Sequence, residues 1–437
     1  MKIHIENYKN IKNITLPVEH NILTLLGPNG VGKTNILEAI SYGYCDYLEM
    51  DEVFTGPYFL SVSQDETDDD YFPNAKLLRD LFSPTGDVDL STAIINYMDE
   101  IYEKTDRPLI QKLVKDASDS LRYAEVNHHF DPSTLAVIRL VILNKIYESV
   151  KLSGVKAIIL IDTPELHAHQ LMENALTTII NALKDLGCVI IMSTHSQYVV
   201  SRVFTSFDQL VRVEKSDEGY LETNFVDIDL ILKDIHEFYD SDEYLVHNFS
   251  RSEHIEQGLY RLLNENLEGY LITAFRDYII TAFSCKVIVM GEGSSEDVLF
   301  DYIENAIRPD WVLEYQVGFI HGWGKSTLPL FFIFLNDIGV KAFVLYDYDN
   351  DANPVHMAYM NAFNKYHFDH PSMHASYYLR PDLEGYLDFS DGEKVQSLLK
   401  PVNVYNYTFL QGGSNPRLNE LLDTMKENIE RMMKYER

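Results

Sequence analysis

The chain has 437 residues, of which 46% are hydrophobic, and a formal net charge of −31. Its length exceeds what one hydrophobic core supports and predicts two or three domains. The composition excludes a disordered chain, and the acidic charge argues against a protein that coats nucleic acid without specificity. No apolar run is long enough to span a membrane, the N-terminus lacks a signal-peptide pattern, and three distant cysteines suit a reducing compartment. We therefore expect a cytoplasmic protein without a membrane partner.

Residues 27–34 carry the first motif. Their sequence fits G-x-x-x-x-G-K-[ST], the loop that wraps the phosphates of a nucleotide. A strand is predicted before it, over residues 22–26, and a helix after it, which is the context that the motif requires. We expect Lys33 to reach the β- and γ-phosphates of ATP and Thr34 to bind Mg²⁺. The remaining nucleotide contacts are expected from Asn29, Gly30 and Gly32. A glycine-rich turn without a ligand is the alternative, and both flanks disfavour it.

The next region, residues 45–130, is acidic and weakly patterned. Between Asp46 and Glu100, fourteen Asp or Glu residues stand against two basic residues. The densest run, from Asp65 to Asp70, favours a solvated loop, and a site for a basic partner is the alternative.

The second half of a nucleotide site is predicted where two apolar strands end. The strand over residues 157–161 leads into Asp162, which we expect to hold the Mg²⁺ shell. The strand over residues 188–192 delivers His195 to the same edge of a parallel sheet, where ligands bind in such folds. There the imidazole can contact the γ-phosphate.

These motifs resemble those of ABC-type ATPases of the RecF and SMC kind, and most of all the ATPase of the OLD (overcoming lysogenization defect) family. That family has I-D-E-P-E-x-H-x-H at the strand end and S-T-H-S at the next motif. Thr163 occupies the position of the family's hydrolytic Glu, and a Thr cannot act as a general base. Hydrolysis is therefore expected to be slow, or Glu165 substitutes as the catalytic group. The Ser-Gly motif that contacts ATP across a dimer is not legible, and Ser133 is a weak candidate for it.

A second cluster of acids begins after two predicted strands in the C-terminal part and continues further along the chain. Glu292 lies at the tip of the strand 286–290 and Glu296 on the first helical turn after it, close enough to share a cation. Asp347 and Asp349 follow the strand 342–346 and reach one cation only if the chain is already turning. The later pair is Asp382 and Glu384. Hard oxygen ligands of this kind suit Mg²⁺ or Mn²⁺.

The pattern E-G-x-x-E, followed by D-x-D and L-E-G-Y-L, resembles the Toprim domain of OLD-family nucleases. The resemblance implies that Glu292 is the acid/base group and that Asp347 and Asp349 are the main metal ligands. Glu292, Glu296, Asp382 and Glu384 would complete one or two metal positions. A basic residue near the scissile phosphate is also implied, for which Arg417 and Lys325 are candidates.

We therefore predict an α/β protein with three parts. An ABC-type P-loop ATPase domain covers residues 1–213, and a mostly helical connector and dimerisation segment covers residues 214–280. A C-terminal Toprim domain with a Rossmann-like fold covers residues 281–437. The aromatic residues of the connector have helical spacing, which favours a packing face over a base-stacking platform. A zinc site at His167 and His169 is disfavoured, because their spacing is wrong and no further ligands lie nearby.

The resemblance implies an ATP-binding, divalent-metal-dependent DNA endonuclease in phage defence or DNA processing. Its expected partners are DNA and a second copy of the chain, in a homodimer or larger assembly formed through the ATPase. The alternative is an ATP-binding sensor or scaffold of a defence system, whose Toprim domain acts only with a protein encoded in the same operon. A topoisomerase or primase is less well supported, because no segment resembles a DNA gate or a template-binding module.

Overall fold

A computed structural model describes residues 1–49, 53–60, 75–83, 88–127, 132–241, 262–348, 354–387, 399–410 and 416–434. The acidic run Asp65 to Asp70 and Asp349 lie outside the described residues. The chain forms two compact units, Met1–Phe225 and Val226–Arg437. No helix among the described residues combines the length and apolar character needed to cross a membrane.

The first unit contains two sheets and seven labelled helices among its described residues. Its strands are β1 (Lys2–Tyr8), β2 (Ile11–Pro17), β3 (Ile22–Leu26), β4 (Cys45–Leu48), β5 (Phe54–Leu60), β6 (Lys156–Asp162), β7 (Val189–Ser193), β8 (Leu210–Lys215) and β9 (Leu221–Phe225). Its helices are α1 (Lys33–Ser41), α2 (Ala75–Phe82), α3 (Leu90–Lys104), α4 (Pro108–Asn127), α5 (Pro132–Ser153), α6 (Gln170–Asp185) and α7 (Gln197–Val203).

The main sheet of the first unit has the order β5-β6-β7-β3-β8-β9. All neighbouring pairs are parallel except β8 and β9. Strands β3 and β7 are buried along their whole length, which explains their continuous apolar sequence. Strand β9 pairs with β8 beyond the predicted domain boundary at residue 213, so the first unit extends to Phe225.

The smaller sheet has the antiparallel order β2-β1-β4. Its buried Ile3 and Ile5 alternate with more exposed neighbours, as the sequence predicts for a strand with one face in the core. These residues share a core with α1 and with the inner strands of the main sheet. Helix α1 is thereby fixed directly behind the phosphate-loop sequence.

The second unit begins with the segment that was predicted as a separate connector. Its strands are β10 (Val287–Gly291), β11 (Val317–His321), β12 (Lys341–Asp347) and β13 (His374–Leu379). Its helices are α8 (Ile228–Tyr239), α9 (Leu267–Phe275), α10 (Ile279–Ser284), α11 (Ser294–Tyr302), α12 (Asp310–Glu314), α13 (Leu328–Asp337), α14 (Pro354–Asp369), α15 (Leu383–Tyr386), α16 (Lys400–Tyr405) and α17 (Pro416–Lys434).

The sheet of the second unit is parallel, with the order β11-β10-β12-β13. Strands β10 and β12 lie in its centre and are buried, with Asp347 less buried at the end of β12. Helix α13 is apolar on every side, and residues 328–335 are all buried, because it packs inside this unit rather than on its surface. The carboxyl ends of β10 and β12 meet at one edge of the sheet, which is where ligands bind in open α/β folds.

Candidate functional site

The phosphate loop joins β3 to α1 in a backbone form that only glycine adopts readily. Gly27, Gly30 and Gly32 have φ angles of 142°, 71° and 121°. A Cβ atom on Gly27 would lie 2.2 Å from the carbonyl oxygen of Val213. Asn29 and Gly30 are exposed at the tip of the loop.

Lys33 is folded against this loop. Its Nζ donates to the carbonyl oxygens of Gly27 at 2.7 Å and Pro28 at 2.9 Å. Burial lowers the pKa of Lys33 to about 8, although the charges of Asp162 and Glu165 oppose that shift. The ammonium group is thus held inside the loop by acceptors that a phosphate could replace.

Thr34 and Asp162 lie in contact, as the nucleotide-site hypothesis requires. The Oγ1 of Thr34 donates to Oδ2 of Asp162 at 2.9 Å. The other oxygen of Asp162 accepts hydrogen bonds from the hydroxyl groups of Ser193 and, at 3.4 Å, Thr163. The structure therefore brings the two proposed Mg²⁺ residues of the ATPase together at the ends of β6 and β7.

Glu165 is committed to the turn after β7. Its Oε2 accepts from Oγ1 of Thr194 at 2.7 Å, and its Oε1 accepts from the backbone N–H of His195 at 2.6 Å. Burial raises the pKa of this carboxyl group, and the hydrogen bonds oppose the increase. Both oxygens thus hold the His195 segment in place, which favours a positioning role for Glu165 over the catalytic role suggested by the sequence.

His195 lies within electrostatic range of the other nucleotide-site residues. Burial and the charge of Lys33 lower the pKa of its imidazole, and Asp162 raises it. The neutral ring is therefore favoured at neutral pH.

Sequence reasoning missed Arg139, a buried cation on α5. Its Nη1 donates to the carbonyl oxygens of Thr163 at 3.1 Å and Leu166 at 3.3 Å. Thr163 has a φ of 49°, which is unfavourable for a β-branched residue. Arg139 therefore stabilises a strained turn directly after Asp162. A helical position with no motif gives no signal for such a contact.

The second site lies at the carboxyl edge of β10 and β12. Oε1 of Glu292, just after β10, accepts from the backbone N–H of Asp347 at 2.8 Å. Oδ1 of Asp347 in turn accepts from the backbone N–H of Leu383 at 3.0 Å. These two bonds tie three predicted acidic segments to one another.

The other acids complete the same cluster. Glu296 is buried on α11, and its Oε2 accepts from the N–H of Gly293 at 3.0 Å. Glu384 is also buried, and its Oε1 accepts from Oγ of Ser295 at 3.2 Å. Asp382 accepts from the N–H of Gly385 and caps α15. Five of the six acids predicted for this site therefore lie on segments that meet at this edge of the sheet. The sixth, Asp349, lies outside the described residues.

Two lysines approach the acids. Nζ of Lys325 lies 3.4 Å from Oε1 of Glu292 and donates to the carbonyl oxygen of Asp347 at 2.6 Å. Nζ of Lys400 lies 3.3 Å from both Asp382 and Glu384. Sequence reasoning proposed Lys325 and missed Lys400, which follows a stretch without a recognisable pattern.

The acids raise one another's proton affinity. Burial raises the pKa of Glu296 to about 7 and that of Asp347 to about 8, and the charges of neighbouring carboxylates add to the increase. Such a donor set suits a hard divalent cation, which would relieve the repulsion. Among the described residues, no three His, Cys, Asp or Glu side chains are arranged to hold a metal ion. The chemistry of the donors fits the predicted metal, and their present arrangement is a charge cluster neutralised in part by lysines.

Four of these acids, Glu292, Glu296, Asp347 and Glu384, line an open pocket of about 430 Å³. His321 and Trp323, from the end of β11 and the loop after it, complete its wall together with Lys400. Neither His321 nor Trp323 was predicted, because the sequence motifs of this site mark only its acids.

The remaining sequence candidates lie elsewhere. Arg417 is on α17, with its guanidinium 5.7 Å from the ring centre of Tyr386. His167 and His169 are exposed after β6, and the described residues offer no zinc cluster there. Phe275 packs against Phe331 and Phe334, in agreement with a packing role for the aromatic residues of the connector.

Comparisons with known proteins agree with the family resemblance of both halves of the chain. Residues 1–48 match the family model of an AAA ATPase domain, and residues 283–349 match the TOPRIM domain of overcoming lysogenization defect protein-like chains. The chain therefore carries an ATPase domain followed by an OLD-like TOPRIM domain, which confirms the predicted resemblance and fold class.

Curated proteins match a short part of the chain. The DNA replication and repair proteins RecF of Rickettsia canadensis (strain McKiel) and Rickettsia conorii (strain ATCC VR-613 / Malish 7) are 55% identical over 40 residues and 52% identical over 42 residues. These matches cover 9% and 10% of this chain, which spans only 11% and 12% of the RecF chains.

Two solved structures are also similar. The SMC head domain from Thermotoga maritima is 14% identical with a TM-score of 0.27, and SmcHead bound to the C-winged helix domain of ScpA is 12% identical with a TM-score of 0.28. Each covers 52% of this chain and 98% of the other chain. At these TM-scores neither similarity supports a statement about this chain.

Proposed function

We propose that this protein is an ATP-binding, divalent-metal-dependent DNA endonuclease of OLD type. The observation that carries the proposal is the acidic cluster around Glu292 and Asp347 at the carboxyl edge of the TOPRIM sheet. Carboxylates and Lys400 in one open pocket, with Lys325 in contact with Glu292 and Asp347, are the groups that phosphodiester hydrolysis needs. A role in phage defence or DNA processing is the biological setting that we propose for this activity.

Each residue of the pocket has a proposed task. Divalent ions, when bound, would supply the positive charge that activates water and stabilises the departing oxygen. Glu296, Asp347 and Glu384, with Asp349 and Asp382, would hold these ions. Glu292 would accept the proton of the attacking water, since its carboxylate is oriented by the N–H of Asp347. Lys325 and Lys400 would bind the phosphate once the carboxylates that contact them bind metal ions instead.

Plasmid nicking tests this function. Purified protein is expected to nick supercoiled plasmid with Mg²⁺ or Mn²⁺, and Asp347→Asn is expected to reduce the rate at least 100-fold, because a metal ligand is lost. Asp423→Asn, an exposed position on α17, serves as the matched control. Equal cleavage by wild type and Asp347→Asn would refute the assignment of the site.

In the first unit, we propose that ATP binds at the loop of residues 27–34. Lys33 would exchange the carbonyl oxygens of Gly27 and Pro28 for phosphate oxygens. The contact between Thr34 and Asp162 would open to admit Mg²⁺ between them. We further propose that the ATPase controls the nuclease and assembles a homodimer around the nucleotide.

A second candidate function is an ATP-binding sensor that needs a partner protein for cleavage. The observation that favours it is Thr163, which has no carboxylate and lies in a strained turn held by Arg139. If turnover is limited at this position, Thr163→Glu is expected to hydrolyse ATP faster than wild type, and Thr163→Ala is not. A fast wild-type ATPase that Thr163→Glu does not improve would contradict the sensor function.

A further inference from the structure

We infer that Trp323 is a stacking platform for an unpaired nucleobase, so that the acidic pocket acts on single-stranded or locally unpaired DNA. This inference rests on the proposed nuclease function and names the substrate class of the same site. It is based on the position, exposure and support of one indole ring.

The loop that carries Trp323 is fixed to the acidic site by its backbone. The N–H of Gly322 donates to the carbonyl oxygen of Gly291, and the N–H of Gly324 donates to that of Glu292, both at 2.8 Å. These bonds bracket Trp323 on both sides. The backbone of Trp323 is therefore held beside the proposed acid/base group.

The indole of Trp323 is exposed, unlike that of the chain's other tryptophan. Trp323 is 52% exposed, whereas the chain's other tryptophan, Trp311, is 7% exposed within the core of the second unit. The ring of Tyr270 meets the indole edge-on, with 5.8 Å between ring centres and an angle of 85° between planes. That contact orients the indole and leaves part of its surface open.

His321, in the wall next to Trp323, is held by two side-chain contacts. Nδ1 of His321 lies 3.1 Å from Oδ1 of Asp297 and 2.9 Å from the hydroxyl of Tyr278. Single exposed aromatic residues are common on protein surfaces and need no function by themselves. Trp323 differs because it is the only indole or phenyl group among the described residues that line this pocket.

The geometry has a consequence for the substrate. In an intact duplex the faces of the bases are covered by their neighbours in the stack, so an indole beside the phosphate cannot reach one. A single strand, a loop or a frayed end presents a free base face. Stacking of such a base on an aromatic ring is favourable and independent of sequence. The pocket therefore suits a phosphodiester next to an unstacked base, without sequence preference.

Intrinsic fluorescence tests the contact without any cleavage. Asp347→Asn protein keeps the DNA intact, and a short oligothymidylate is expected to quench the emission of Trp323. The same strand annealed to its complement is expected to quench far less. Trp323→Phe in the same background is expected to abolish the quenching, since Trp311 is buried. Equal quenching by single strand and duplex, or quenching that persists in Trp323→Phe, would overturn the inference.

Cleavage rates give the second measurement. With Mn²⁺, the wild type is expected to cut a single-stranded oligonucleotide faster than its duplex. Trp323→Ala is expected to raise KM for the single strand about 5- to 100-fold, and Trp323→Phe is expected to raise it less. Phe368→Ala, at an aromatic residue that is 82% exposed on α14, is the control and should leave KM unchanged.

The two proposals fail in different ways. Quenching by the single strand without cleavage under any condition would refute the nuclease and support the stacking contact. Cleavage that prefers duplex and is unchanged in Trp323→Ala would support the nuclease and refute the stacking contact. Circular dichroism of each Trp323 variant verifies that the fold is retained.

Discussion

At the scale of single residues, Arg139 has the most unusual environment in the first unit. It is 4% exposed, and its Nε and Nη2 make no hydrogen bond within the described structure. Burial lowers the pKa of its guanidinium to about 10, and the charges of Asp162 and Glu165 oppose that shift. Burying a cation away from water destabilises the fold, and the contacts of Arg139 with the turn after β6 offset part of that free energy.

We predict that Arg139→Met lowers both stability and ATP affinity. The substitution leaves two or three carbonyl oxygens of the turn without a donor, at about 1–3 kcal/mol each, while removing a buried charge offsets part of the loss. We expect a net loss of about 2 kcal/mol and weaker binding of an ATP analogue, because the turn presents Asp162. Thermal unfolding and calorimetric titration measure the two effects. The control is Arg122→Met, because Arg122 forms an exposed ion pair with Asp99. An Arg139→Met protein as stable as this control would contradict the prediction.

Asp337, the last residue of α13, provides a prediction on pH. Burial, followed by the charges of Asp234 and Asp227, raises the pKa of its carboxyl group to about 7. The other titratable groups that line a pocket with Asp337 and Asp234 are Glu237, Lys365, Tyr366, Asp369 and His370. In an unfolded chain the pKa of an Asp is about 3.9. The folded state therefore holds the proton more tightly, and this stabilisation, fully present below about pH 4, is lost as the pH rises through 7.

Asp337→Asn is expected to remove this dependence. At pH 8 the variant should exceed the wild type in stability by about 1–2 kcal/mol, a value reduced from the full pKa shift because the side chain is partly exposed. At about pH 4, where this stabilisation is still present because the unfolded chain also holds most of the proton, the two proteins should differ little. Melting temperatures at the two pH values provide the test, with Asp423→Asn as an exposed control. A difference that is the same at both values would count against the raised pKa.

At the scale of elements, the strands next to the motifs were predictable because they are buried on both faces. Strands β3, β6, β7, β10 and β12 are short apolar runs that lead into predicted site residues, and the structure places each strand within a few residues of its predicted bounds. The apolar residues from Ser133 to Leu152 recur at helical spacing, and helix α5 spans Pro132–Ser153. In these segments local sequence and tertiary burial agree.

The parts that could not be predicted depend on contacts distant in sequence. Lys400 reaches Asp382 and Glu384 from α16, and Trp323 enters the pocket from the loop after β11. Neither residue is part of a motif that can be recognised within one segment of the sequence. The first compact unit ends at Phe225, beyond the predicted boundary at residue 213, because β9 pairs with β8.

Gly27 connects β3 to the phosphate loop and allows a prediction about that junction. Gly27→Ala would place Cβ 2.2 Å from the carbonyl oxygen of Val213 on β8, at a φ of 142°. We expect a loss of about 3 kcal/mol or more and no ATP binding, because either the loop or β8 must move. Gly43→Ala is the matched control, with a φ of 77° and open space around it, and should cost about 1 kcal/mol. Similar melting temperatures for the two variants would show that the junction adapts.

At the scale of the whole molecule, two compact units each contain one candidate site. Control of the nuclease by the ATPase requires a coupling free energy between these sites, and such a coupling is reciprocal. If an ATP analogue changes the affinity of the TOPRIM site for Mn²⁺ by some factor, then Mn²⁺ must change the affinity for the analogue by the same factor. The sign of this coupling decides whether ATP permits or restrains cleavage.

We predict a coupling of about 1–3 kcal/mol, which is a 5- to 150-fold change in either affinity. Calorimetric titration of Mn²⁺ with and without a saturating analogue and Mg²⁺ gives one side of the cycle, and titration of the analogue with and without Mn²⁺ gives the other. The same titration of the Asp347→Asn protein measures Mn²⁺ that binds elsewhere, including at the ATP site, and this binding is subtracted. Lys33→Ala should abolish the effect of the analogue, because its ammonium group is the proposed phosphate contact. Two affinities that are independent of each other would leave the units as separate activities on one chain and refute control by ATP.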